Sequence, residues 1–499
     1  MRIPLLLELT AEALPDRIAI DSQSGSLTYA ALQSAARSVA SLLRRHSIDN
    51  AAFLGLNSPM FPISLFASAI AGLPFSPLNY RLTDDNLRQL LARLAPAAVI
   101  VDDGMTERVV GVPGIIPVRH EDLRRAMQLA PPELDPPPDA PSDTAVLLFT
   151  SGTSGAPKAA VLSHQNLTSY VLQTVEFLGA QEDEATLVCV PPYHIAGVSS
   201  LITSVYSGRR IVQLESFTAQ DWVRTVRDFS VTNAMLVPTM LSRILDEMQR
   251  GEIELPSLRS IAYGGGRMPE PVIRSALEKM PHVEFTNAYG LTETSSTIAI
   301  LGPEDHRLAR GGNPKALDRL KSVGRPVSSV AVEVRDAEGR RVAPGVPGEV
   351  FVRGDQVSGE YVGMKSTGED GWFPTKDLGW FDRDGYLFID GRLDDVIVRG
   401  GENISPGEIE DVLRVHPAVE DTAVVGAPDD RWGERIVAFV VRRKSATVSA
   451  EEIQSWVRER LRSTKSPQDV LFRTELPYSE TGKLLRRLLR NEMTRNDQD

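Results

Sequence analysis

The residues best suited to chemistry lie at positions 149–158, where the chain reads FTSGTSGAPK. The run from Val146 to Phe149 is apolar enough to be a buried strand. Eight residues of Thr, Ser, Gly, Ala and Pro follow before Lys158, and their glycines and Pro157 prevent a strand or helix from continuing. Hydroxyl groups, backbone amides and a lysine in such a loop are suitable donors to phosphate oxygens. A glycine-rich surface turn without a ligand stays an equal alternative at this point.

This loop differs from the GxxxxGK[ST] loop of nucleoside triphosphatases, which would need glycine at Pro157 and serine or threonine at Ala159. Two other apolar segments also end in glycine-containing turns: residues 260–263 before GGGRM, and residues 283–289 before GLTETSS. Ligands of open α/β sheets bind beyond the carboxyl ends of the strands. We therefore expect the strand ends at 150, 263 and 289 to converge on one crevice.

The elements that must position these loops alternate between short strands and amphipathic helices, which predicts an α/β layered domain with a mostly parallel sheet. Residues 26–46 are predicted to form a helix capped by Thr28. Alternating strands from about 323 predict a small β subdomain. A smaller α+β unit of roughly 105 residues follows, with capping boxes predicted at Ser405–Glu408 and Ser449–Glu452. We expect an N-terminal domain over 1–393 and a C-terminal domain over 395–499.

Composition narrows the class of protein. A net charge of −12 argues against binding to nucleic acid, since no strong positive field recruits its backbone. The one cysteine, Cys189, lies among apolar residues, which predicts a buried thiol and a reducing, cytoplasmic compartment. The apolar stretch 61–78 contains three prolines and a glycine, so a buried helix and turn are expected rather than an integral membrane segment.

Five segments occur in a fixed order: FTSGTSGAPK at 149–158, AYGLTET at 288–294, DLGWFDRDGYLFIDGRLDD at 377–395, GGENISPGEIE at 400–410 and ETGK at 480–483. With these segments the chain resembles the adenylate-forming (AMP-binding) superfamily over essentially its whole length. It is most similar to acyl-CoA synthetases. The resemblance implies an ATP-dependent carboxylic acid–CoA ligase that makes an acyl-adenylate, releases pyrophosphate, and then forms the CoA thioester with release of AMP. Its cofactors would be ATP, Mg²⁺ and CoA.

The resemblance also implies roles for individual residues. Glu293 would hold Mg²⁺, which prefers hard oxygen ligands, and Lys483 would bridge the substrate carboxylate and the α-phosphate. Thr150 and His194 join these two as candidate catalytic residues. The residues expected to bind ATP or AMP are Thr150, Ser151, Gly152, Thr153, Ser154, Gly155, Lys158, Gly264, Gly265, Gly266, Ala288, Tyr289, Gly290, Thr292, Asp377, Arg392 and Lys483.

Relatives of this kind work in two arrangements, which implies a hinge at Asp394. Rotation about it would withdraw Lys483 and present Gly400, Gly401 and Glu402 to the pantetheine arm of CoA. A simple tight turn is the alternative for the two glycines. His194 is similar to a family residue that gates the acyl pocket, and a buried structural histidine is the alternative. The residues expected to line the acyl pocket are His194, Gly197, Ala234, Tyr263, Ala288 and Thr294.

Two positions depart from the family pattern. Thr-Gly-Asp reads Thr375-Lys376-Asp377, and Gly-Gly-Ala-Pro ends in Arg267. Lys376 would contact phosphate or point outward, and Arg267 would place charge near the acyl or nucleotide pocket. Amino-acid-activating relatives carry an aspartate near the position of His194, so an acid without an α-amino group is expected. An acyl-AMP ligase that loads a carrier protein, a silent nucleotide-binding homologue, and a homodimer stay open.

Overall fold

The computed structural model describes residues 1–23, 25–128, 142–150, 158–251, 253–429, 431–444, 446–478 and 484–496. Within these ranges, no helix combines the length and the apolar character that crossing a membrane requires. Ser151 to Gly155 of the glycine-rich loop and Lys483 lie outside the described residues.

The helices of the described residues are numbered in chain order. They are α1 (Ile3–Ala13), α2 (Tyr29–Arg44), α3 (Met60–Ala71), α4 (Asp84–Leu94), α5 (His120–Gln128), α6 (His164–Thr174), α7 (Ile195–Ser207), α8 (Ala219–Asp228), α9 (Pro238–Gly251), α10 (Glu270–Lys279), α11 (Pro303–Arg310), α12 (Pro314–Arg319), α13 (Pro406–Arg414), α14 (Ala450–Arg458) and α15 (Arg486–Asn496). Short 3-10 turns include Thr292–Thr294 and Leu393–Asp395.

The strands are numbered in the same way. They are β1 (Ile18–Ser22), β2 (Gly25–Thr28), β3 (Asn50–Leu54), β4 (Phe75–Pro77), β5 (Ala97–Val101), β6 (Ile115–Arg119), β7 (Thr144–Thr150), β8 (Lys158–Ser163), β9 (Ala185–Val188), β10 (Arg210–Gln213), β11 (Asn233–Leu236), β12 (Ser260–Gly264), β13 (Glu284–Leu291), β14 (Ser296–Leu301), β15 (Arg325–Pro326), β16 (Ala331–Arg335), β17 (Gly348–Arg353), β18 (Glu360–Tyr361), β19 (Met364–Lys365), β20 (Phe373–Phe381), β21 (Leu387–Arg392), β22 (Ile397–Arg399), β23 (Glu402–Ile404), β24 (Val419–Asp429), β25 (Gly433–Arg442) and β26 (Asp469–Arg473).

Two large sheets hold most of the core. One has nine strands in the order β15-β14-β13-β12-β11-β9-β10-β1-β2, and the other has eight in the order β19-β18-β8-β7-β4-β3-β5-β6. Side chains of α1, α2, α3, α6 and α7 join residues of both sheets in one apolar cluster. Helices α8 to α11 cover the opposite face of the nine-stranded sheet. Layers of helix and sheet therefore bury the apolar strands on both faces.

Two smaller sheets complete the fold. Strands β16, β17, β20 and β21 form a four-stranded antiparallel sheet with its own apolar cluster. Strands β22 to β26 form the sheet of the C-terminal unit, which buries apolar side chains on both of its faces. The 3-10 turn Leu393–Asp395 connects these two sheets. The expected class, α/β layers with a small β subdomain and a small α+β unit, is confirmed.

Local signals were correct where the cap is formed by neighbouring residues. The hydroxyl of Thr28 accepts the backbone N–H of Ala31, and Ser449 and Glu452 form a complete capping box. The capping box predicted at Ser405 is wrong. The Ser405 hydroxyl instead donates to the carbonyl of Asp390 at 2.8 Å, while Glu408 pairs with Lys465 at 2.6 Å. Tertiary partners thus replace the local cap.

Candidate active site

Glu293 stands on a tight turn between two antiparallel strands. Strand β13 does not stop at residue 289 but continues to Leu291, and β14 returns beside it after the turn Thr292–Thr294. Thr294 stabilises this turn, because its hydroxyl accepts the N–H of Leu291 at 2.9 Å and donates to the carbonyl of Ser296 at 2.7 Å. A Cβ on Gly290 would lie 1.7 Å from that same Ser296 oxygen. Glycine is therefore required there by close packing.

The Glu293 side chain is only 8% exposed. Its Oε1 accepts a hydrogen bond from the Tyr361 hydroxyl at 2.5 Å, and its backbone carbonyl accepts the N–H of Ser358 at 2.9 Å. The segment around β18 therefore holds both the side chain and the backbone of this acid.

The donor set around Glu293 fits a magnesium ion that arrives with phosphate. Among the residues that the structure describes, no group of three or more His, Cys, Asp or Glu could hold a metal alone. Mg²⁺ typically uses one or two carboxylates together with substrate phosphates and water. A single buried carboxylate is compatible with a metal ion of this kind.

Asp377 and Arg392 face each other across β20 and β21, where they are directly paired. Arg392 Nη1 lies 3.1 Å from Asp377 Oδ1, and the Tyr289 hydroxyl donates to Asp377 Oδ2 at 2.5 Å. Burial, followed by the charge of Asp377, raises the pKa of Tyr289, which keeps it a hydrogen-bond donor. Asp377 is 7% exposed and so offers a fixed pair of acceptor oxygens. Two vicinal hydroxyl groups of a ribose match such a pair.

Thr150 and Lys158 mark the two ends of the glycine-rich loop. They are paired residues of β7 and β8, and the Thr150 hydroxyl donates to the Lys158 carbonyl at 3.4 Å. The Lys158 ammonium lies 5.5 Å from the centre of the Tyr361 ring. The loop thus leaves and re-enters the eight-stranded sheet at adjacent positions, with its lysine beside the residue that holds Glu293.

Side chains of β11, β12 and β13 point to two opposite faces of the nine-stranded sheet, and helices α8 to α11 cover one of these faces. Ala234 and Tyr263 belong to the cluster under α8 to α11, and the Tyr263 hydroxyl lies 2.8 Å from Nε2 of His306. The expectation that these two residues line an acyl pocket is therefore wrong. Side chains alternate along a strand, so the residues paired across the other face are Met235, Ala262 and Thr286 in one row.

Gly264, Gly265 and Ala288 lie at the end of this second face. A Cβ on Gly264 would meet the carbonyl oxygen of Ala288 at 2.3 Å, and Met235 Cε at 3.4 Å. Gly265 has φ +76, a conformation that favours glycine. These two glycines are explained by backbone packing and backbone conformation.

His194 occupies the N-cap position of α7 but makes no side-chain cap hydrogen bond. Its ring lies 4.8 Å from the ring of Tyr193, and burial lowers its pKa to about 4. Gly197 follows in the first turn, where a Cβ would lie 3.0 Å from the carbonyl of Pro191. The Ser199 hydroxyl lies 3.3 Å from that of Ser296, so α7 meets the β14 side of the crevice. His194 is therefore neutral at physiological pH.

Gly400 and Gly401 form the two-residue turn between β22 and β23, with φ of 57 and 82. This is the positive-φ pair that tight hairpins require. The N–H of Gly400 donates to the carbonyl of Trp432 at 2.7 Å, and a Cβ there would lie 3.0 Å from the Trp432 ring. The tight-turn explanation therefore accounts for both glycines, and it leaves the turn exposed beside an aromatic ring.

Asp394 lies in the 3-10 turn that precedes this hairpin, and α15 holds the turn. Arg490 donates to the Asp394 carbonyl, and Arg486 and Arg490 lie 3.5 and 3.6 Å from the two oxygens of Asp395. Arg486 also makes a two-pronged contact with buried Glu410 at 2.7 and 2.8 Å. The connection between the units is thus tied to the helix that follows Lys483 in the sequence.

Comparison with known proteins agrees with this geometry. The model of the AMP-binding enzyme family matches residues 7–362, and that of the AMP-binding enzyme C-terminal domain matches residues 408–483. The chain belongs to the AMP-binding enzyme family. It is an AMP-forming acid–thiol ligase.

Several relatives of this ligase cover nearly its whole length. It is 33% identical over 497 residues to a fatty acid–[acyl-carrier-protein] ligase of Streptomyces coeruleorubidus, covering 96% of this chain and 94% of the relative. It is 32% identical to 2-succinylbenzoate–CoA ligase of Bacillus licheniformis, covering 97% and 99%. The structure of o-succinylbenzoate CoA synthetase of Bacillus subtilis with its acyl-adenylate superposes with a TM-score of 0.84 at 31% identity, covering 97% of both chains.

The ligase contains contacts that motif reading missed. Tyr361 lies in the segment GEYVG, which matches no motif, and only the pairing of β18 with β8 brings it to Glu293. Arg267 pairs with Asp411 of α13, far from it in the sequence. Lys376 is exposed, and its phosphate contact stays a prediction. None of these contacts has a sequence signal, since each depends on residues far apart in the chain.

Proposed function

We propose that this ligase joins a monocarboxylic acid to CoA, using ATP and Mg²⁺. The acid carries no charged group besides the reacting carboxylate, and in particular no α-amino group. The observation that carries the proposal is the convergence of three kinds of group. Tyr361 contacts Lys158 beside the phosphate loop and Glu293 on the β13–β14 turn. Arg392, whose charge acts on both Tyr361 and Glu293, pairs with Asp377. Residues suited to phosphate, metal and ribose thus share one crevice.

In the first half-reaction, a carboxylate oxygen of the acid attacks the α-phosphorus of ATP and pyrophosphate leaves. Both reactants are negative, so the site must supply positive charge and hydrogen-bond donors. Lys158 and the loop 150–155 bind the phosphates, and Asp377 accepts the ribose hydroxyls. The family resemblance gives Lys483, which is outside the described residues, the role of bridging carboxylate and α-phosphate. Glu293 would hold Mg²⁺, which would supply positive charge to the phosphates.

In the second half-reaction, the CoA thiolate attacks the acyl carbonyl carbon and the bond to AMP breaks. Lys483 must leave and the turn Gly400-Gly401-Glu402 must approach, by rotation of the unit 395–499 about Asp394 against the domain 1–393. The 3-10 turn at Leu393–Asp395 lies between two separately packed sheets, which supports this position for the hinge. Neutral His194 at the start of α7 gates the acyl pocket.

The class of acid is inferred from the open face of β11 to β13. The side chains paired across that face, Met235, Ala262 and Thr286, are uncharged, and Ala288 and Thr294 follow on β13 and its turn. A second carboxylate or an ammonium group on the substrate would lose its hydration here without a partner. Aliphatic and aromatic monocarboxylic acids both meet this requirement.

A carrier-protein phosphopantetheine is the second candidate for the acceptor. The relative of Streptomyces coeruleorubidus, at 33% identity, is a ligase for an acyl-carrier protein. Both acceptors present the same thiol arm, so the adenylation chemistry would be identical and only the outer surface of the protein would discriminate between them.

A cytoplasmic location is proposed with either acceptor, and buried Cys189 fits a reducing compartment. Sedimentation would distinguish a monomer from a homodimer.

The test is ATP–pyrophosphate exchange with a panel of acids, followed by detection of thioester with CoA and with a holo carrier protein. The panel should pair each neutral acid with a dicarboxylic acid and an α-amino acid of the same length. We expect exchange with neutral acids and CoA-dependent product. Exchange without CoA product would contradict the CoA proposal, and preference for a dicarboxylic acid would contradict the proposed acid class.

A further inference from the structure

The short strand β18 attaches to the sheet immediately after the glycine-rich loop. Tyr361 pairs with Ala160 of β8, and the N–H of Val362 donates to the carbonyl of Ala159 at 3.0 Å. These two residues of β8 directly follow Lys158, where the chain returns from the loop. Tyr361 is therefore fixed, by backbone hydrogen bonding, to the strand that carries the loop lysine.

The Tyr361 side chain reaches across to the other half of the site. Its hydroxyl donates to Glu293 Oε1 at 2.5 Å, and its ring centre lies 5.5 Å from the Lys158 ammonium. One side chain thus contacts a cation on β8 and an acid on the turn after β13, which belong to different sheets. Two N–H groups from the same segment, those of Ser358 and Gly359, donate to the Glu293 carbonyl at 2.9 and 3.3 Å.

The chemistry of the two groups fixes the direction of this contact. An ionised carboxylate only accepts hydrogen bonds, so the Tyr361 hydroxyl is the donor. A charge-assisted hydrogen bond of this kind is short and directional, so it fixes the plane of the carboxylate.

We propose that Tyr361 is a positioning residue for the pyrophosphate side of the site. Its hydroxyl fixes the Glu293 carboxylate for the metal–nucleotide complex, and its ring holds Lys158 near the phosphates. The inference rests on adenylation at this crevice and adds a residue that touches no substrate itself. Groups that orient a metal ligand commonly alter metal affinity by ten- to a hundredfold when they are removed.

The test compares Tyr361→Phe with Tyr361→Leu. The first variant removes the hydroxyl and keeps the ring, and the second removes both. Tyr386→Phe is the matched control, because its hydroxyl donates to Asp305 at 2.9 Å on the far side of the nine-stranded sheet. Calorimetry would measure binding of a non-hydrolysable ATP analogue over a titration of Mn²⁺, without any acid present. Pyrophosphate exchange over a Mg²⁺ titration and thioester formation from supplied acyl-AMP complete the set.

For Tyr361→Phe we expect the metal concentration at half-saturation to rise about tenfold. Tyr361→Leu should also weaken metal-free nucleotide binding by a few-fold, because the contact between ring and ammonium is lost. Thioester formation from acyl-AMP should be unchanged, since no pyrophosphate takes part in it. Unchanged metal dependence in Tyr361→Phe, or an equal loss in both half-reactions, would overturn the proposal. Failure of the wild type to exchange with any acid would contradict the proposed function instead, and the calorimetry would still decide the role of Tyr361.

Discussion

Arg267 Nη2 lies 2.5 Å from Asp411 Oδ2, and this ion pair connects the strand-end loop after β12 with helix α13 of the C-terminal unit. Arg267 also counteracts the effect of burial on the carboxyl of Asp390, whose pKa is raised by burial. The pair must break if the C-terminal unit rotates. Both side chains are more than a third exposed, so the pair contributes about 1 kcal/mol or less.

Removal of this pair should change the balance between the half-reactions and leave stability nearly unchanged. We expect Arg267→Gln to shift the ratio of adenylation to thioester formation by up to roughly fivefold, the equivalent of about 1 kcal/mol. In the wild type this ratio should depend on salt, because the pair is screened. Arg307→Gln is the control, since its pair with Glu284 lies within the large domain. A ratio as salt-dependent in Arg267→Gln as in the wild type would refute the role.

Lys483→Ala should separate the half-reactions most clearly. A lost charge contact in the transition state typically slows a reaction by a hundred- to a thousandfold, about 3–4 kcal/mol. We expect that loss in pyrophosphate exchange and none in the conversion of supplied acyl-AMP and CoA. Lys465→Ala, which breaks only the pair with Glu408, serves as the control. An equal loss of both half-reactions would argue against the two-arrangement mechanism.

Lys376 adopts φ +61, although it carries a Cβ. An L-residue in this left-handed region costs roughly 1–2 kcal/mol, whereas glycine adopts it freely but loses more backbone entropy on folding. Lys376→Gly should therefore raise the free energy of unfolding by about 1 kcal/mol. Denaturant titration would measure it, with Lys365→Gly, an exposed strand residue without a positive φ, as control. A loss of stability in Lys376→Gly equal to that in the control would contradict the strain.

His164 should make the protein sensitive to mild acid. It is 2% exposed, its Nδ1 accepts the N–H of Ile3, and burial lowers its pKa to about 3. The unfolded chain binds a proton at an ordinary histidine pKa of about 6.5. The free energy of unfolding should therefore fall as pH drops below about 6.5, by up to about 1.4 kcal/mol per pH unit from this residue.

Urea titrations between neutral and mildly acidic pH would measure this slope. His164→Asn should reduce this slope, because one titrating group is lost from both states, while buried His194 still contributes. His282→Gln, which replaces an exposed histidine, should leave it unchanged. An identical slope in His164→Asn and the wild type would exclude His164 as the source.

Sequence reasoning succeeded where the signal is local or is carried by a run of neighbouring residues. Thr28 and Ser449 cap their helices as predicted, and Cys189 is buried. Strands β12 and β13 are neighbours, although β13 runs on past residue 289. Sequence reasoning failed at Ala234 and Tyr263, because the face that a strand residue occupies depends on which side the helices cover. The contacts of Tyr361 and Arg267 could not be predicted either, since their partners lie 68 and 144 residues away.

The bond from Tyr289 to Asp377 joins the nine-stranded sheet to the four-stranded one. A nucleotide whose ribose binds Asp377 would attach to both sheets together. Ligand binding that requires two packed units stabilises their association by mass action, because the separated units cannot bind. ATP should therefore stabilise the packing of these two sheets against each other. The amide hydrogens of the four-stranded sheet should exchange more slowly when nucleotide is bound, so their exchange rate should report nucleotide occupancy.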